Sequence, residues 1–299
     1  MDTLFPFQAM KGNFNTVKAR THQSVLGILY FWDFSFFLYI SHFAVHAPYQ
    51  GKKNEVNYFE NKNTKDWNGH KDANYASMVK GLDRSVGAIL SKLKETGLED
   101  NTLVIFMSDN GGIDSKITPR GDGTDNSPFL GGKACLNEGG IRVPLIFRWK
   151  GKIDAGKWID VPVDCTDIFP TILDVAGYNS KEIANKQNLD GQSLKMLLVD
   201  TKNEQGSYTK HTHYWHYPFN VIYNSPYEPL PLTPHSAIRD GDYKLIFDWY
   251  GRLHLYNIQN ARWAAGINEI IPIASEQIQT NNFFKMYSFV DLASRITRI

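Results

Sequence analysis

The sequence predicts an α/β fold: a central, largely parallel sheet flanked by helices, with a smaller C-terminal α+β subdomain. Three observations predict it. Tyr75, Met78, Val79, Leu82, Val86, Ile89 and Leu93 recur at intervals of three and four, the stripe of an amphipathic helix. The wholly apolar runs "TLVIFM" at 102–107 and "VPLIFR" at 143–148 read as buried strands, and helix, short loop, apolar strand is the order of an α/β layer. Near residue 200 the pattern changes to aromatics, prolines and short alternating runs, with Asp240-Gly241 between strand-like flanks, a hairpin signal. The domain boundary is therefore placed near residue 203, dividing 1–203 from 204–299.

The elements follow in order. The run "VLGILYFWDFSFFLYI" at 25–40 is apolar but carries Asp33 and Ser35 and is short for a membrane span, so it reads as a buried strand, Phe36 to Ile40, with its lead-in. Pro48 ends its continuation into "SHFAVHAPYQ". Residues 50–71 are polar and read as loop. The helix at 73–96 has Asp72 to cap its start and Gly97 its end. Residues 111–140 are rich in Gly, Asp, Asn and Pro; a loop of that length in a compact domain tends to carry function. "DCTDIFPTILDVAG" offers Thr166 as cap, an apolar stripe, and Gly177 as stop.

Composition narrows the class of partner. With 32 basic against 31 acidic residues and a net charge of +1, no long-range field favours nucleic acid or an anionic membrane. Cys135 and Cys165 are too few for a disulfide framework and lack the spacing of a zinc site. The first residues, "MDTLFPFQAMKGNFNTVKARTHQ", do not form a signal peptide.

Four residues could carry chemistry. Asp109 and Asn110 follow a strand end, where ligands of open α/β sheets bind. Their oxygens suit Ca²⁺ or Mg²⁺, while Asp-Asn-Gly-Gly is also ordinary turn chemistry. Lys133 in "GGKACLNEGG" lies between paired glycines, which let backbone approach an anion; a solvated loop lysine fits the residues equally. His46 leaves the strand read at 36–40 and could donate a proton or simply be a loop histidine. Together they suit an anionic ester bound beside a divalent cation. In "HTHYWHYP", His211, His213 and His216 with Trp215 form either a sugar-binding rim or a structural aromatic patch. "RGD" at 120–122 is a short chance match, and Lys150, Lys152 and Lys157 read as a solvated face.

These stretches, with "YASMVKGLDRSVGAILSKLKETGLEDNTLVIFMSDNGG", "GGKACLNEGGIRVPLIFRWKGKI", "DIFPTILDVAG", "DGQSL" and "SAIRDGDYKLI", resemble the sulfatase family of the alkaline-phosphatase-like superfamily. The resemblance implies hydrolysis of sulfate esters, of a small molecule or more specifically a sulfated carbohydrate. It implies that Asp109 and Asn110 are ligands of a catalytic Ca²⁺, that Lys133 contacts the sulfate and leaving oxygen, and that His46 binds the anion and donates a proton. It places His216, in a W-H-[FY]-P segment, on the substrate side. It also implies a periplasmic or secreted protein.

The family pattern calls for an Asp-Asp strand end and a C-x-P-S-R or S-x-P-S-R motif, whose first residue becomes the nucleophilic formylglycine. Neither occurs in these residues, so half the metal ligands and the nucleophile are expected to lie outside this sequence. Cys135, followed by "LNE", and Cys165, followed by "TDI", do not supply it. Rival readings are a phosphoester hydrolase of the same superfamily and a non-catalytic binder of sulfated glycans.

Overall fold

Asp72 stands just before a residue stripe that needs a helix, and its carboxylate accepts the Tyr75 N–H at 2.8 Å. In the computed structural model the helix runs Ala73–Glu95. Gly97, at φ +71°, turns the chain out of it. The structure describes residues 15–21, 24–30, 35–63, 65, 70–114, 124–199, 208–209, 212–219, 234–248 and 252–258. Contacts divide the chain into two compact units, Met1–Thr96 and Gly97–Ile299. The boundary read near residue 203 falls outside the described residues.

The first unit holds β1 (Asn15–Thr21), β2 (Ser24–Tyr30), β3 (Phe36–His42), α1 (Lys53–Glu60) and α2 (Ala73–Glu95). β1, β2 and β3 form an antiparallel sheet in that order, with Val17 opposite Ile28 and Gly27 opposite Tyr39. The run at 25–40 therefore holds two strands. β3 alternates half-buried with exposed residues, leaving Phe37 43% and Tyr39 67% exposed, so it is not the buried strand expected. α1 corrects the loop reading of 50–71. Its Glu55 is buried, accepts the Ser77 hydroxyl at 3.0 Å and pairs with Arg84, so α1 is docked on α2 by one carboxylate. That tie joins residues 22 and 29 positions apart, which local polarity does not disclose.

The second unit begins with β4 (Val104–Met107), α3 (Glu138–Ile141) and β5 (Leu145–Arg148). β4 and β5 pair antiparallel, Ile105 opposite Phe147. Among the described residues every pair of named strands is antiparallel; an apolar run shows that a strand is covered, not which way its neighbour runs. Ile146 is 57% exposed and Met107 41%, one on each face of the pair, so neither face is fully covered where burial on both was expected. Lys150, Lys152 and Lys157 are exposed, as a solvated face requires; on it Lys150 pairs with Glu99 at 3.0 Å and Asp100 at 2.9 Å, and Lys157 donates to Leu197 O.

α4 (Ile168–Val175), α5 (Ser180–Gln187) and α6 (Lys195–Val199) follow. The cap before α4 is Asp164, not Thr166: Asp164 accepts the Thr166 N–H at 2.9 Å, and Asp167 Oδ2 returns a bond to the Asp164 N–H. Asp164, two residues ahead of Thr166, holds the cap position, and Asp167 three residues on accepts its N–H to complete a capping box. Asp167, fully buried, also accepts Gln192 N–H and the Tyr208 hydroxyl, each at 2.8 Å.

The chain ends, among the described residues, in an antiparallel sheet of β6 (Thr212–Tyr217), β7 (His235–Asp240), β8 (Tyr243–Asp248) and β9 (Leu253–Asn257). Gly241 at φ +58° makes the expected Asp-Gly turn between β7 and β8. Leu136, Ala237, Ile246, Tyr256 and Ile258 form one core cluster, so the sheet packs against the loop ahead of α3. Leu194, Leu197, Leu198 and Tyr208 form another, with Phe147 of β5 against it.

Candidate functional site

β4 runs out at Met107, and Ser108 N–H still donates to Pro144 O at 3.3 Å. The chain then turns sharply. Asp109 Oδ1 accepts Asn110 N–H at 3.0 Å, Asn110 Nδ2 donates to Gly111 O at 2.8 Å, and the Ser108 hydroxyl donates to Asn110 O at 3.0 Å. These bonds engage one polar atom of each side chain. Asp109 Oδ2 and Asn110 Oδ1 take part in none of them.

Two further segments close on this turn through backbone. Gly111 N–H donates to Gly140 O at 2.8 Å, Lys133 N–H to Gly112 O at 2.9 Å, and Gly139 N–H to Leu130 O at 2.9 Å. The approach is so close that only glycine fits. A Cβ on Gly111 would strike Gly139 O, one on Gly132 would strike Gly112 O, and one on Gly140 would strike the carbonyl oxygens of Cys135 and Gly132. The turn bearing Lys133 also needs left-handed backbone at Gly131 (φ +77°) and Ala134 (φ +73°). The glycines of "DNGG", "GGK" and "EGG" thus serve one purpose: they let three loops interlock without side chains between them.

Asn126 clasps the same point. Its Oδ1 accepts Gly112 N–H at 3.1 Å, and its Nδ2 donates to Gly112 O at 2.9 Å and Gly131 O at 3.0 Å.

Beneath, the C-terminal sheet holds the third loop. Leu136 N–H donates to His235 Nε2 at 3.1 Å. Lys244, 1% exposed, donates from Nζ to Glu138 Oε1 at 3.0 Å. Arg142 lies 3.8 Å from the other Glu138 oxygen. Burial pushes the Glu138 carboxyl up, but the charge and hydrogen bond of Lys244, then Arg239 and Arg142, outweigh it and hold the group below the usual carboxylate range. Burial presses the Lys244 ammonium down, with Glu138 opposing.

The structure therefore brings Asp109, Asn110 and Lys133 into one interlocked loop cluster of the second unit. His46 belongs to the first unit. It sits in the turn after β3, where its N–H donates to Phe43 O at 2.9 Å, its Nδ1 lies 2.7 Å from Ala47 O, and its ring tilts against Phe43. His216 is exposed on β6 and hydrogen-bonds Ser236 Oγ at 2.8 Å. It alternates with Trp215 and Tyr217, the residues that pack against the Leu136 cluster, so it projects from the opposite face of the sheet. His213 is buried on the Trp215 side and pairs with Asp164 Oδ2 at 2.9 Å, a structural tie. His211 and the "RGD" at 120–122 lie outside the described residues. Cys135 is buried, and burial pushes its thiol up despite the backbone hydrogen bond at Gly132, a poor nucleophile at neutral pH.

Among the described residues no three or more His, Cys, Asp or Glu side chains are grouped to hold a metal. Asp109 and Asn110 fit a hard cation by donor type, each with one oxygen outside the turn's own bonds. Two donors are a fraction of the 6–8 oxygens Ca²⁺ takes. No helix of the described residues is long and apolar enough to cross a membrane.

Sequence reasoning singled out Asp109, Asn110 and Lys133, which share this cluster, but passed over Asn126, Glu138 and Lys244, which brace it. Glu138 carried a signal, a lone carboxylate beside paired glycines in a loop. Lys244 carried none, because in "DYKLIFD" it reads as the exposed side of a strand.

The fold and loops define a mixed α/β protein whose strand-end loops gather hard oxygens and a lysine over interlocked glycines. Its relatives name the family. The sulfatase family pattern matches residues 30–178, and the pattern "N-sulphoglucosamine sulphohydrolase, C-terminal" matches 131–266. A sulfatase of Formosa agariphila is 32% identical over 239 residues, covering 76% of this chain and 41% of that protein. Human steryl-sulfatase is 37% identical over 150 residues, half of this chain and 25% of that protein. The crystal structure of Ps i-CgsB in complex with k-i-k-neocarrahexaose superposes with a TM-score of 0.63 at 28% identity, covering 84% of this chain and 48% of that one. The chain belongs to the sulfatase family, the sulfuric ester hydrolases of alkaline-phosphatase-like α/β fold. It spans less than half the length of these relatives.

Proposed function

We propose that this chain carries the leaving-group side of a sulfatase site, in a protein that hydrolyses sulfate esters of carbohydrate. The observation that carries the reading is the bond from Lys133 N–H to Gly112 O, which ties the lysine loop to the turn of Asp109 and Asn110. A cation-binding pair and an ammonium so joined can share one anionic ester. Asp109 and Asn110 would hold Ca²⁺, which when bound polarises the sulfate oxygens. Lys133 neutralises charge gathering on the leaving oxygen. His46 is the proton donor and His216 a substrate contact by resemblance alone. The sugar class is supported by the relative solved with a neocarrahexaose, and the resemblance supports a periplasmic or secreted site of action.

The test is sulfate release from an aryl sulfate and a sulfated oligosaccharide by the intact protein. Release that disappears with a chelator and in Lys133→Ala is expected. Hydrolysis of phosphomonoesters with paired zinc bound would overturn the reading in favour of a phosphoester hydrolase. The 299 residues contain neither nucleophile motif, so by themselves they are expected to bind sulfated glycan without turning it over. The second reading is a protein that binds sulfated glycan without turnover. Turnover by this chain alone would remove it.

A further inference from the structure

Gly112 is the crossing point of the loop cluster. Its carbonyl accepts Lys133 N–H at 2.9 Å and Asn126 Nδ2 at 2.9 Å, and its N–H donates to Asn126 Oδ1 at 3.1 Å. The same Asn126 nitrogen reaches Gly131 O at 3.0 Å. Gly112 lies two residues beyond Asn110, and Gly131 two before Lys133. One side-chain amide thus bridges the loop of the oxygen pair and the loop of the lysine.

We infer that Asn126 is a positioning residue that sets the spacing between the Asp109–Asn110 pair and Lys133, so that a divalent cation and a sulfate bind this cluster cooperatively. The inference rests on the reading of the cluster as a sulfate-ester site. The geometry needs a group that accepts once and donates twice. Aspartate keeps the acceptor but turns a second oxygen on two carbonyls. Alanine removes the Asn126 partner of Gly112 N–H and Gly131 O and leaves Gly112 O with the Lys133 bond. Glutamine is a methylene too long for the same three bonds. Attraction between a cation and an anion falls with separation, so a loosened spacing weakens their coupling before it weakens either partner alone. Coupling is reciprocal, and Ca²⁺ should tighten sulfate by the factor by which sulfate tightens Ca²⁺.

The experiment titrates the intact protein with Ca²⁺ and inorganic sulfate, separately and together, following backbone amide resonances of these residues. Asn126→Asp and Asn126→Ala are compared with the unaltered protein. Glu55→Gln, which loosens α1 on α2 in the other unit, controls for a general loss of stability. The unaltered protein is expected to show mutual tightening. Both Asn126 variants should lose about tenfold of that factor, the scale of one to two hydrogen bonds, with faster amide exchange at Lys133. Glu55→Gln should keep the factor. Coupling and Lys133 exchange unchanged in the Asn126 variants would overturn the positioning role while leaving the site reading intact. An equal loss in Glu55→Gln would overturn it as a nonspecific effect. Absence of any coupling in the unaltered protein would defeat the site reading, and the inference with it.

Discussion

The α1–α2 pair and the loop cluster around Gly112 are held by opposite means. In the helix pair, side chains do the joining: Glu55 meets Ser77 and Arg84. In the loop cluster, backbone meets backbone, and glycines are there because nothing larger fits. The first arrangement tolerates repacking. The second does not, because a carbonyl oxygen cannot change rotamer. The proposed site, which would hold a cation and an anion at a set spacing, lies in the rigid kind.

The largest expected effect breaks that rigidity directly. Gly140→Ala would push a Cβ onto the carbonyl oxygens of Cys135 and Gly132. We expect a loss of at least about 4 kcal/mol, or failure of the second unit to fold, since no side-chain motion relieves the clash. Urea unfolding followed by tryptophan fluorescence measures it, and a loss under about 1 kcal/mol would contradict the interlocked description.

Next is the support beneath. Lys244→Met leaves the Glu138 carboxylate buried without its closest cation and should cost about 3–5 kcal/mol. The double variant Lys244→Met/Glu138→Leu should recover much of this, because the uncompensated charge is gone. If the double is no better than the single, packing rather than charge explains Lys244.

The same pair sets a pH dependence. Glu138 in the folded chain sits below its ordinary value, so the unfolded chain takes up the proton more readily. Its contribution is complete above the ordinary carboxylate range and is lost as pH falls through the lowered folded value. The denaturation midpoint should therefore fall with acid, and fall less steeply in the double variant.

In the helix pair the changes are milder. Glu55→Gln keeps shape but weakens the contacts to Ser77 and Arg84; about 1–3 kcal/mol is expected. Gly87→Ala should have the opposite sign. Nothing lies within 4 Å of a Cβ there, and an alanine in a helix interior is favoured over glycine by about 0.5–1 kcal/mol. A destabilised Gly87→Ala would show that α2 is more crowded than described.

The residues of the loop cluster were legible where their spacing is local. Asp109 and Asn110 stand at the end of an apolar run, and Lys133 between paired glycines. Asn126 was not legible, since an asparagine before Ser-Pro in a polar loop looks like turn punctuation until its partners at 112 and 131 are seen. α1 was hidden by polar composition, because the residue that docks it is a buried glutamate.

By itself the sequence determined the α2 stripe with its Asp72 cap, the β7–β8 turn at Asp240-Gly241, and the family. These depend on bonds between near neighbours or on motifs whose order survives in the chain. Only the tertiary structure decided that three glycine-rich loops share one crossing point, that Lys244 is buried against Glu138 106 positions away, and that His216 projects from the face opposite Trp215. Those facts depend on which distant segments meet, and no local pattern of polarity records that.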